Sequence, residues 1–477
     1  MNTPLQAHAR GRLPAVRRDA RGHRHVDLRA VIALALPLFV NSSIQALLNL
    51  TDTWFIGRLS TDATAAVGAS YWFMIVAMLF FGGPGLAVQT LAAQRYGAGD
   101  KRSAARAVWA GMRGMMWVAP AFLVVALLGP TIIGWLRLDP HVAQLAAEFW
   151  FPRVLGGIFA VGIWVTTGFF NGIGRTRVTL VVMTFVAVLN AMLNQLFIFE
   201  FGWGVAGAAW ATTAAMGAGL LTTLALFTSR GVDAEYDSRK TWSESRAELG
   251  ALFRVGLPIG LFPAIDVAGL AAFQAMQAAA SPVGGASTQI VMMLTSIAYL
   301  PTMGFALAGT TLVGQSIGAG DKEWANKVGN ATIKLSVGYM GFVTVFLAVI
   351  GPWLIPLFVN ASDPRAGAVI SLGCTLLWFA ASYQIFDGLN LGAGFCLRGA
   401  GDMRVPTLAI IFLSWFGFVP LTHMFTFAPG QGWVDFLPQF GYGAIGGWAV
   451  ALVYCCVLGS LIYLRWWSGA WRRINLR

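Results

Sequence analysis

The feature that most constrains this chain is a series of twelve long hydrophobic runs joined by short polar connections. A transmembrane helix needs about 20 apolar residues, so a chain of 477 residues has room for about a dozen crossings. Its residues are 57% hydrophobic and only 11% charged, which is more apolar surface than one soluble core can bury. The runs lie near residues 30–56, 64–94, 105–129, 143–170, 178–199, 204–228, 254–280, 286–317, 328–351, 366–397, 405–427 and 443–465.

These runs predict an all-α integral membrane protein with twelve transmembrane helices. They lack the alternation of polar and apolar residues that marks a membrane β-barrel, so each is expected to cross as a helix. The first run follows a basic segment but is too long for a signal peptide and has no small-residue cleavage pattern. It is therefore predicted to remain in the protein as the first span.

Lysine and arginine are distributed unevenly between the two sides of the predicted membrane domain. Of 32 basic residues, 28 fall on the side that carries both termini and the connection between the sixth and seventh runs. The four assigned to the opposite side are Arg58, Arg137, Arg153 and Arg365. Because cytoplasmic loops are enriched in Lys and Arg, we expect both termini to be cytoplasmic, which requires an even number of spans.

The chain also contains an internal repeat. The segment YGAGDKRSA at 96–104 recurs as IGAGDKEWA at 317–325, and the same offset of 221 residues relates Pro37 to Pro258. Because six runs separate equivalent points, the halves should share one topology and be related by a pseudo-twofold axis along the membrane normal. A cleft between two six-helix bundles is expected.

The repeat and the charge pattern divide the chain into five parts. They are a basic cytoplasmic tail at 1–29, an N-lobe with helices 1–6 at 30–228, a cytoplasmic inter-lobe linker at 229–253, a C-lobe with helices 7–12 at 254–465, and a second basic cytoplasmic tail at 466–477. The linker is the most charged of the predicted loops.

Three acidic residues, Asp52, Asp266 and Asp387, lie inside hydrophobic runs. A charge in hydrocarbon costs about 2.5–3.5 kcal/mol on insertion scales, so such carboxylates usually face a cavity, titrate or bind a cation. A structural hydrogen bond between helices is the alternative. We interpret the three acids as functional.

Polar residues accompany Asp52 along the first run. Ser42, Gln45, Asn49 and Asp52 are three or four residues apart, which places them on one face of a helix. Such a face either hydrogen-bonds to other helices or lines water, and four polar groups together favour a water-lined cavity.

The other two acids have polar neighbours as well. In the tenth run Tyr383, Asp387 and Asn390 are four and three residues apart and predict a ligand face. In the seventh run Pro263 should free a backbone carbonyl one turn from Asp266. Oxygen ligands of this kind suit a small hard cation, so a monovalent cation is predicted at Asp266 and Asp387, with a simple kink as the alternative for the proline.

Two further patterns are less specific. Asn190 and Asn194 lie one turn apart in the fifth run, where they would either join helices or line a cavity. The GAGD motifs have no preceding strand and no following Lys-Ser or Lys-Thr, so they do not indicate an ATP site. We predict tight turns in which the aspartate caps the next helix.

Several functional classes are excluded. The formal charge of +12 is explained by membrane orientation, so no nucleic-acid partner is expected. The four cysteines form no CxxC pair and the histidines are scattered, which argues against a metal site or another bound cofactor. An enzyme acting on lipid would need a nucleophile or metal ligands beside the acids, and His141 and His423 do not supply them.

The motifs together resemble the multidrug and toxic compound extrusion (MATE) family over about residues 34–464. In the N-terminal half the resemblance rests on LPLF and TDTWFIG in the first run, QRYGAGD at 94–100 and NGIGRTR at 171–177. In the second half it rests on GLPIG at 256–260, GQSIGAGD at 314–321 and LRGAGD at 397–402.

The resemblance implies the two-bundle MATE/MOP-flippase fold and efflux of organic, often cationic compounds by rocker-switch alternating access. The exchange would be driven by inward flow of protons or sodium ions, the only cofactor expected. The resemblance also implies a monomer in the bacterial cytoplasmic (inner) membrane. Its expected partners are small organic substrates and the lipid bilayer. A lipid-linked oligosaccharide or lipid flippase of the same superfamily is the alternative, although such proteins normally line their cavity with more basic groups.

The resemblance also assigns roles to individual residues. Cation or proton coupling is expected at Asp266, Asp387, Tyr383 and Asp52, and a cavity lining at Gln45, Asn49, Asn190, Asn194 and Asn390. Asn194 stands where the DinF-like branch has an Asn–Asp pair, which favours the NorM-like branch. The seventh-span acid is aspartate where glutamate is frequent in the family, so its carboxylate reaches one methylene less far.

Overall fold

The computed structural model describes residues 13–135, 138–359 and 364–474. Arg137 and the outer ends of both predicted tails lie outside these ranges. The described chain begins with an antiparallel hairpin of two short strands, β1 (Val16–Arg18) and β2 (Arg24–Val26). Almost everything that follows is helical.

Most of the α-helices are long and apolar, and a few are short. In chain order the α-helices are α1 (Leu28–Gly57), α2 (Thr61–Gly97), α3 (Lys101–Leu127), α4 (Gly129–Gly134), α5 (Pro140–Leu155), α6 (Gly157–Gly172), α7 (Thr176–Asn194), α8 (Gly204–Phe227), α9 (Arg230–Tyr236), α10 (Leu249–Ala280), α11 (Pro282–Gly318), α12 (Lys322–Leu354), α13 (Ala366–Ala400), α14 (Arg404–Ile411), α15 (Val419–Thr426) and α16 (Gly443–Trp467). Short 3-10 helices lie at Lys240–Glu248, Ile355–Phe358 and Ala470–Arg473, and π-helical turns at Gln195–Glu200 and Phe412–Phe418.

These elements form eleven candidate spans within the described residues, or twelve if the bent helix α11 crosses as one span. Helices α5 and α6 make one span (Pro140–Gly172), and α11 bends by 42° between its segments Pro282–Ser296 and Tyr299–Gly318. The predicted all-α fold is confirmed, but most predicted edges fall a few residues inside the helices. Helix α12, for instance, begins at Lys322 and not near residue 328. Polar end turns explain the difference, because hydropathy detects only the apolar part of a helix.

The GAGD motifs at 97–100 and 318–321 form the predicted turns, whereas Asp402 of the third motif pairs with Arg465 at 2.8 Å and caps no described helix. Gly99 and Gly320 have φ angles of +80° and +83°, a backbone region that favours glycine. Asp100 and Asp321 then accept a hydrogen bond from the backbone N–H three residues later, at 2.9 and 2.8 Å. They thereby cap the first turns of α3 and α12.

We call helices α1–α8 the N-lobe and α10–α16 the C-lobe; α1 packs against α11, and α2 packs against both α10 and α11. Both ends of the described chain lie at the same end of the bundle. Arg24 of β2 pairs with Asp321 at 2.8 Å, and Lys322 donates a hydrogen bond to the carbonyl of Arg472. We call this end of the bundle the terminal face.

The segment between the lobes also lies on the terminal face. Glu235 of α9 binds Lys101 at 2.9 Å and Arg175 at 2.5 Å, both at the starts of N-lobe helices or just before them. Glu248 binds Arg95 of α2 at 2.6 Å. The connection is thus folded against the N-lobe by ion pairs and is not an extended linker.

The closest approach of the lobes joins α2 to α11 at the terminal face. A Cβ on Gly97 would overlap the backbone carbonyl of Gln315, and a Cβ on Gly318 would overlap the backbone carbonyl of Gln94. The repeat offset of 221 residues converts one contact into the other. Only glycine allows the two backbones to come this close.

Side-chain hydrogen bonds across the same interface obey the same symmetry. In each, a Gln or Thr side chain of one lobe donates to a backbone carbonyl of the other lobe. The pairs are Gln94 to Gly399 (2.9 Å), Gln315 to Gly172 (2.8 Å), Thr90 to Arg398 (3.1 Å) and Thr311 to Asn171 (3.0 Å). The acceptors open the NGIGRTR and RGAGDMR motifs, so the repeated motifs build the contact between the lobes.

The ion pairs of α9 predict a pH-dependent contribution to stability. The hydrogen bond from Lys101, together with the charge of Arg175, lowers the pKa of the Glu235 carboxyl. A lowered pKa means stabilisation that is present above the ordinary glutamate pKa and lost as the pH falls through the lowered value. Glu235→Gln should therefore lower the thermal unfolding midpoint in detergent at neutral pH, and the difference from wild type should vanish in acid. An equal difference at both pH values would contradict the assignment.

The crossing of α2 and α11 predicts a steric effect. Gly97→Ala should lower the thermal midpoint, because its methyl group meets backbone that cannot rotate away, at a cost of about 1–3 kcal/mol. Gly68→Ala in the same helix is the matched control, since a Cβ there has no atom within 4 Å. Unchanged midpoints for both variants would show that the lobes do not depend on this contact.

Candidate functional site

Asp52 belongs to a closed ring of hydrogen bonds within the N-lobe. Its Oδ1 accepts from Asn194 Nδ2 at 2.6 Å, and its Oδ2 accepts from Thr212 Oγ1 at 3.0 Å. Asn190 completes the ring, donating to Thr212 at 3.1 Å and accepting from Asn194 at 3.2 Å. Helices α1, α7 and α8 each supply part of this N-lobe cluster, and both asparagines are fully buried.

One atom of the N-lobe cluster has no partner. The Oδ1 atom of Asn194 is buried and accepts no hydrogen bond among the described residues. Buried polar atoms are normally satisfied, because an unpaired one costs about 1–3 kcal/mol. The carboxylate of Asp52 and this free amide oxygen together form an oxygen-rich site that is short of a donor.

The remaining polar residues of α1 extend from this site. Ser42 donates to the carbonyl of Leu38 at 3.1 Å and is therefore satisfied within its own helix. Gln45 and Asn49 lie on the same face as Asp52 and are exposed. The predicted polar face of α1 thus divides into a partly buried carboxylate and two exposed amides.

Arg153, one of the four basic residues assigned to the side opposite the termini, lies inside the span Pro140–Gly172, as its place in the predicted run 143–170 implies. It is partly buried, with its Nη1 atom 3.9 Å from the Sδ atom of Met78. Its guanidinium interacts electrostatically with Asp52, so it belongs to the surroundings of the N-lobe cluster.

Asp266 anchors a second group of residues, the C-lobe cluster. Its Oδ1 accepts a hydrogen bond from the Tyr454 hydroxyl at 2.8 Å, which joins α10 to α16. The Tyr454 ring stacks on Phe418 with centroids 4.5 Å apart, so the hydroxyl is held in place by packing. Helix α10 continues through both of its prolines, and the carbonyl of Pro258 accepts from Thr407 at 3.0 Å.

Asp387 of α13 lies near Asp266, and the two carboxyl groups interact electrostatically. Asn390 faces Asp387 from one turn further along the helix, and its buried Oδ1 has no hydrogen-bond partner among the described residues. Tyr299 of α11 interacts with both acids. The C-lobe cluster therefore repeats the main feature of the N-lobe cluster, a carboxylate beside an unpaired amide oxygen.

Tyr383 is the remaining residue predicted for this site. It lies one turn before Asp387, with its side chain beside Thr295 and its ring stacked on Trp448 at a centroid distance of 6.4 Å. It thus flanks the C-lobe cluster from the same helix as Asp387.

The structure separates the predicted site residues into two places. Asp52, Asn190 and Asn194 meet in the N-lobe, and Asp266 and Asp387 meet in the C-lobe, while no described interaction joins Asp52 to either of the other acids. Within the described ranges none of these three carboxylates forms an ion pair with Lys or Arg. The same ranges contain no group of three or more His, Cys, Asp or Glu side chains that would hold a metal ion. The negative charge of the C-lobe cluster thus has no basic partner among the described residues, whereas Arg153 interacts with Asp52 in the N-lobe cluster.

Comparison with known proteins agrees with this arrangement. The MatE family model matches the chain over residues 37–196 and 266–422, which together make up most of the two lobes. The chain belongs to the MATE family. Its predicted membership is thus confirmed. The first matched segment contains Asp52 of the N-lobe cluster, and the second contains Asp266 and Asp387 of the C-lobe cluster.

Named relatives of this MATE protein align along nearly its whole length. It is 32% identical to a probable multidrug resistance protein NorM of Pseudomonas putida, over 92% of this chain and 94% of that protein. It is 26% identical to the probable NorM protein of Agrobacterium fabrum, over 90% and 92%. A solved outward-facing MATE transporter of the MOP superfamily has a TM-score of 0.79 at 21% identity, covering 93% of this chain and 96% of that chain, and so shares its fold.

Sequence reasoning missed two partners of the acids in this MATE protein. Thr212 and Tyr454 each donate to a carboxylate from a helix distant in sequence. Threonine and tyrosine are common in transmembrane helices, so neither residue gave a signal. Only the packing of α8 against α1 and of α16 against α10 brings them to their acids.

The Tyr454 hydrogen bond predicts a measurable contribution to stability. Tyr454→Phe removes the donor to Asp266 and should lower the thermal midpoint in detergent, at a cost of about 1 kcal/mol. Tyr463→Phe is the matched control, because Tyr463 lies on the same helix and its hydroxyl makes no described hydrogen bond. Equal midpoints for the two variants would mean that Tyr454 does not support the C-lobe cluster.

Proposed function

We propose that this MATE protein is a secondary active antiporter that exports small organic, often cationic compounds in exchange for protons or sodium ions. The observation that carries the proposal is the unpaired amide oxygen beside a carboxylate in each lobe. Such oxygen atoms with one negative charge match what a proton or a small hard cation requires. The names of the NorM relatives support multidrug compounds as the cargo.

The C-lobe cluster is the stronger candidate for coupling. Asp266 and Asp387 repel each other, and no described basic residue pairs with either of them. Two nearby carboxylates rarely stay ionised together in a site of low dielectric. A proton or a cation relieves this repulsion, so occupancy of the C-lobe cluster should respond strongly to the external ion concentration. Asp52 would take part through the N-lobe cluster.

Alternating access is supported by where the lobes touch. Their described hydrogen bonds and the glycine crossing lie toward the terminal face, which carries the excess of basic residues that marks a cytoplasmic surface. The state described would then be closed to the cytoplasm and open to the outside. An ion that binds one state more tightly than the other shifts the population between them, and substrate binding is thereby coupled to ion binding.

Reconstituted transport tests this function. Proteoliposomes that contain the purified protein should move a cationic dye when a pH gradient or a sodium gradient is imposed in the exchange direction. Imposing the two gradients separately identifies the coupling ion. Absence of dye movement under either gradient, with protein shown to be folded and inserted, would contradict the proposal.

The acids are tested in the same assay. Asp266→Asn and Asp387→Asn should each reduce gradient-driven dye movement to near the background rate, because an amide binds neither a proton nor a cation in place of the carboxylate. Asp62→Asn is the matched control, since this exposed acid lies in the first turn of α2 away from both clusters. Wild-type transport by the Asp266 and Asp387 variants would remove the C-lobe cluster from the coupling mechanism.

A further inference from the structure

A basic groove lies on the terminal face between the N-terminal hairpin and α12. Its volume is about 770 Å³, and ten residues line it: His23, Arg24, His25, Val26, Leu28, Lys327, Asn330, Ala331, Lys334 and Leu335. It is distant in the fold from both acidic clusters, and the transport mechanism does not use it.

The hairpin is fixed to α12 by specific contacts. Arg24 pairs with Asp321 at 2.8 Å, and its guanidinium lies over the Trp324 ring, 5.9 Å from the centroid. The Trp324 indole donates to the carbonyl of Pro14 at 2.8 Å. The groove is therefore a built feature with two held walls, one from the segment before α1 and one from the C-lobe.

The carboxylates near the groove are already engaged. Asp321 is occupied by Arg24, and Asp19 in the hairpin turn accepts from the backbone N–H of Arg21 and of His23, each at 2.9 Å. Asp19 also lies 3.2 Å from His25 Nε2. No acidic side chain lining the groove remains to neutralise additional positive charge.

Two lysines are left uncompensated. Lys327 and Lys334 are exposed, are seven residues apart on one face of α12, and form no ion pair with any described residue. Asn330 lies between them, and its Oδ1 accepts from the Trp466 indole at 2.8 Å. With this oxygen engaged by Trp466, Asn330 can offer the groove the N–H groups of its amide as donors.

The rim of the groove is apolar. Leu28 at the start of α1 is 51% exposed, and Ile32 and Leu36 continue this exposed stripe down the helix at 42% and 54%. Exposed leucine and isoleucine on the outer surface of a transmembrane helix contact acyl chains. Basic groups directly above such a stripe are typical of a binding site for anionic lipid headgroups.

We propose that this groove binds the phosphate group of an anionic phospholipid, with Lys327 and Lys334 as the cationic ligands and Asn330 as a neutral donor. The acyl chains would leave the groove over Leu28. A bound lipid bridges the hairpin, which leads into the N-lobe, and α12 of the C-lobe. It would therefore stabilise the state in which the terminal face is closed.

Native mass spectrometry of the purified full chain in detergent tests the site. Titration with phosphatidylglycerol should give a saturable bound lipid, whereas phosphatidylcholine should bind more weakly. Lys327→Gln combined with Lys334→Gln should weaken phosphatidylglycerol binding roughly tenfold or more, since each lysine near an anionic lipid contributes about 1 kcal/mol. Lys327→Arg combined with Lys334→Arg should preserve it.

The control removes the same charge elsewhere. Arg230→Gln combined with Lys240→Gln changes two exposed basic residues of the inter-lobe segment and should leave lipid binding at the wild-type level. Millimolar inorganic phosphate should not displace the lipid, because it lacks the acyl chains. Wild-type affinity in the Lys327 and Lys334 glutamine variant would overturn the site, and displacement by inorganic phosphate would overturn its assignment to a lipid.

Discussion

The close crossing of α2 and α11 is the contact on which the arrangement of this protein depends. Gly97 and Gly318 let each backbone approach a glutamine carbonyl of the other lobe, and the Gln94 and Gln315 side chains reach further across the interface. Because the two halves of the contact are equivalent, the crossing lies on the pseudo-twofold axis. The lobes also meet where α1 packs against α11 and α2 against α10, so the crossing is the tightest part of a longer interface.

The second constraint is the cost of charge inside the membrane. Asp52 reduces that cost by accepting from two helices within its own lobe, whereas Asp266 has one donor, Tyr454, and lies near the like charge of Asp387. The lobes are thus similar in architecture and unequal in electrostatics. The repeat offset relates Asp266 to Gln45, an exposed amide on α1, so this inequality is already present in the sequence. We infer that the C-lobe senses the ion and that the N-lobe adjusts to it.

Much of this could be predicted from sequence, because a pattern is a strong signal where a wrong residue would cost much free energy. The apolar runs, the acids within them and the glycine turns of GAGD each exclude most other folds or functions. The structure confirms the helices and the turns at Gly99 and Gly320. Contacts among ordinary residues could not be predicted. Thr212 and Tyr454 become partners of the acids only when distant helices pack together, and the interaction of Arg153 with Asp52 depends on such packing as well. The hairpin before α1 was likewise unseen, since three-residue strands leave no periodic pattern.

The proposed function requires the two lobes to exchange between two states under the control of ion binding. The most direct measurement is a spin-label distance across the terminal face, with labels replacing Arg177 and Arg404, exposed residues of the two repeated motifs. In lipid nanodiscs, wild-type protein should give two distance populations whose ratio changes with pH or sodium concentration. The ratio should stay constant when Asp266 and Asp387 are both replaced by asparagine. A single distance that is the same under all conditions would contradict the account.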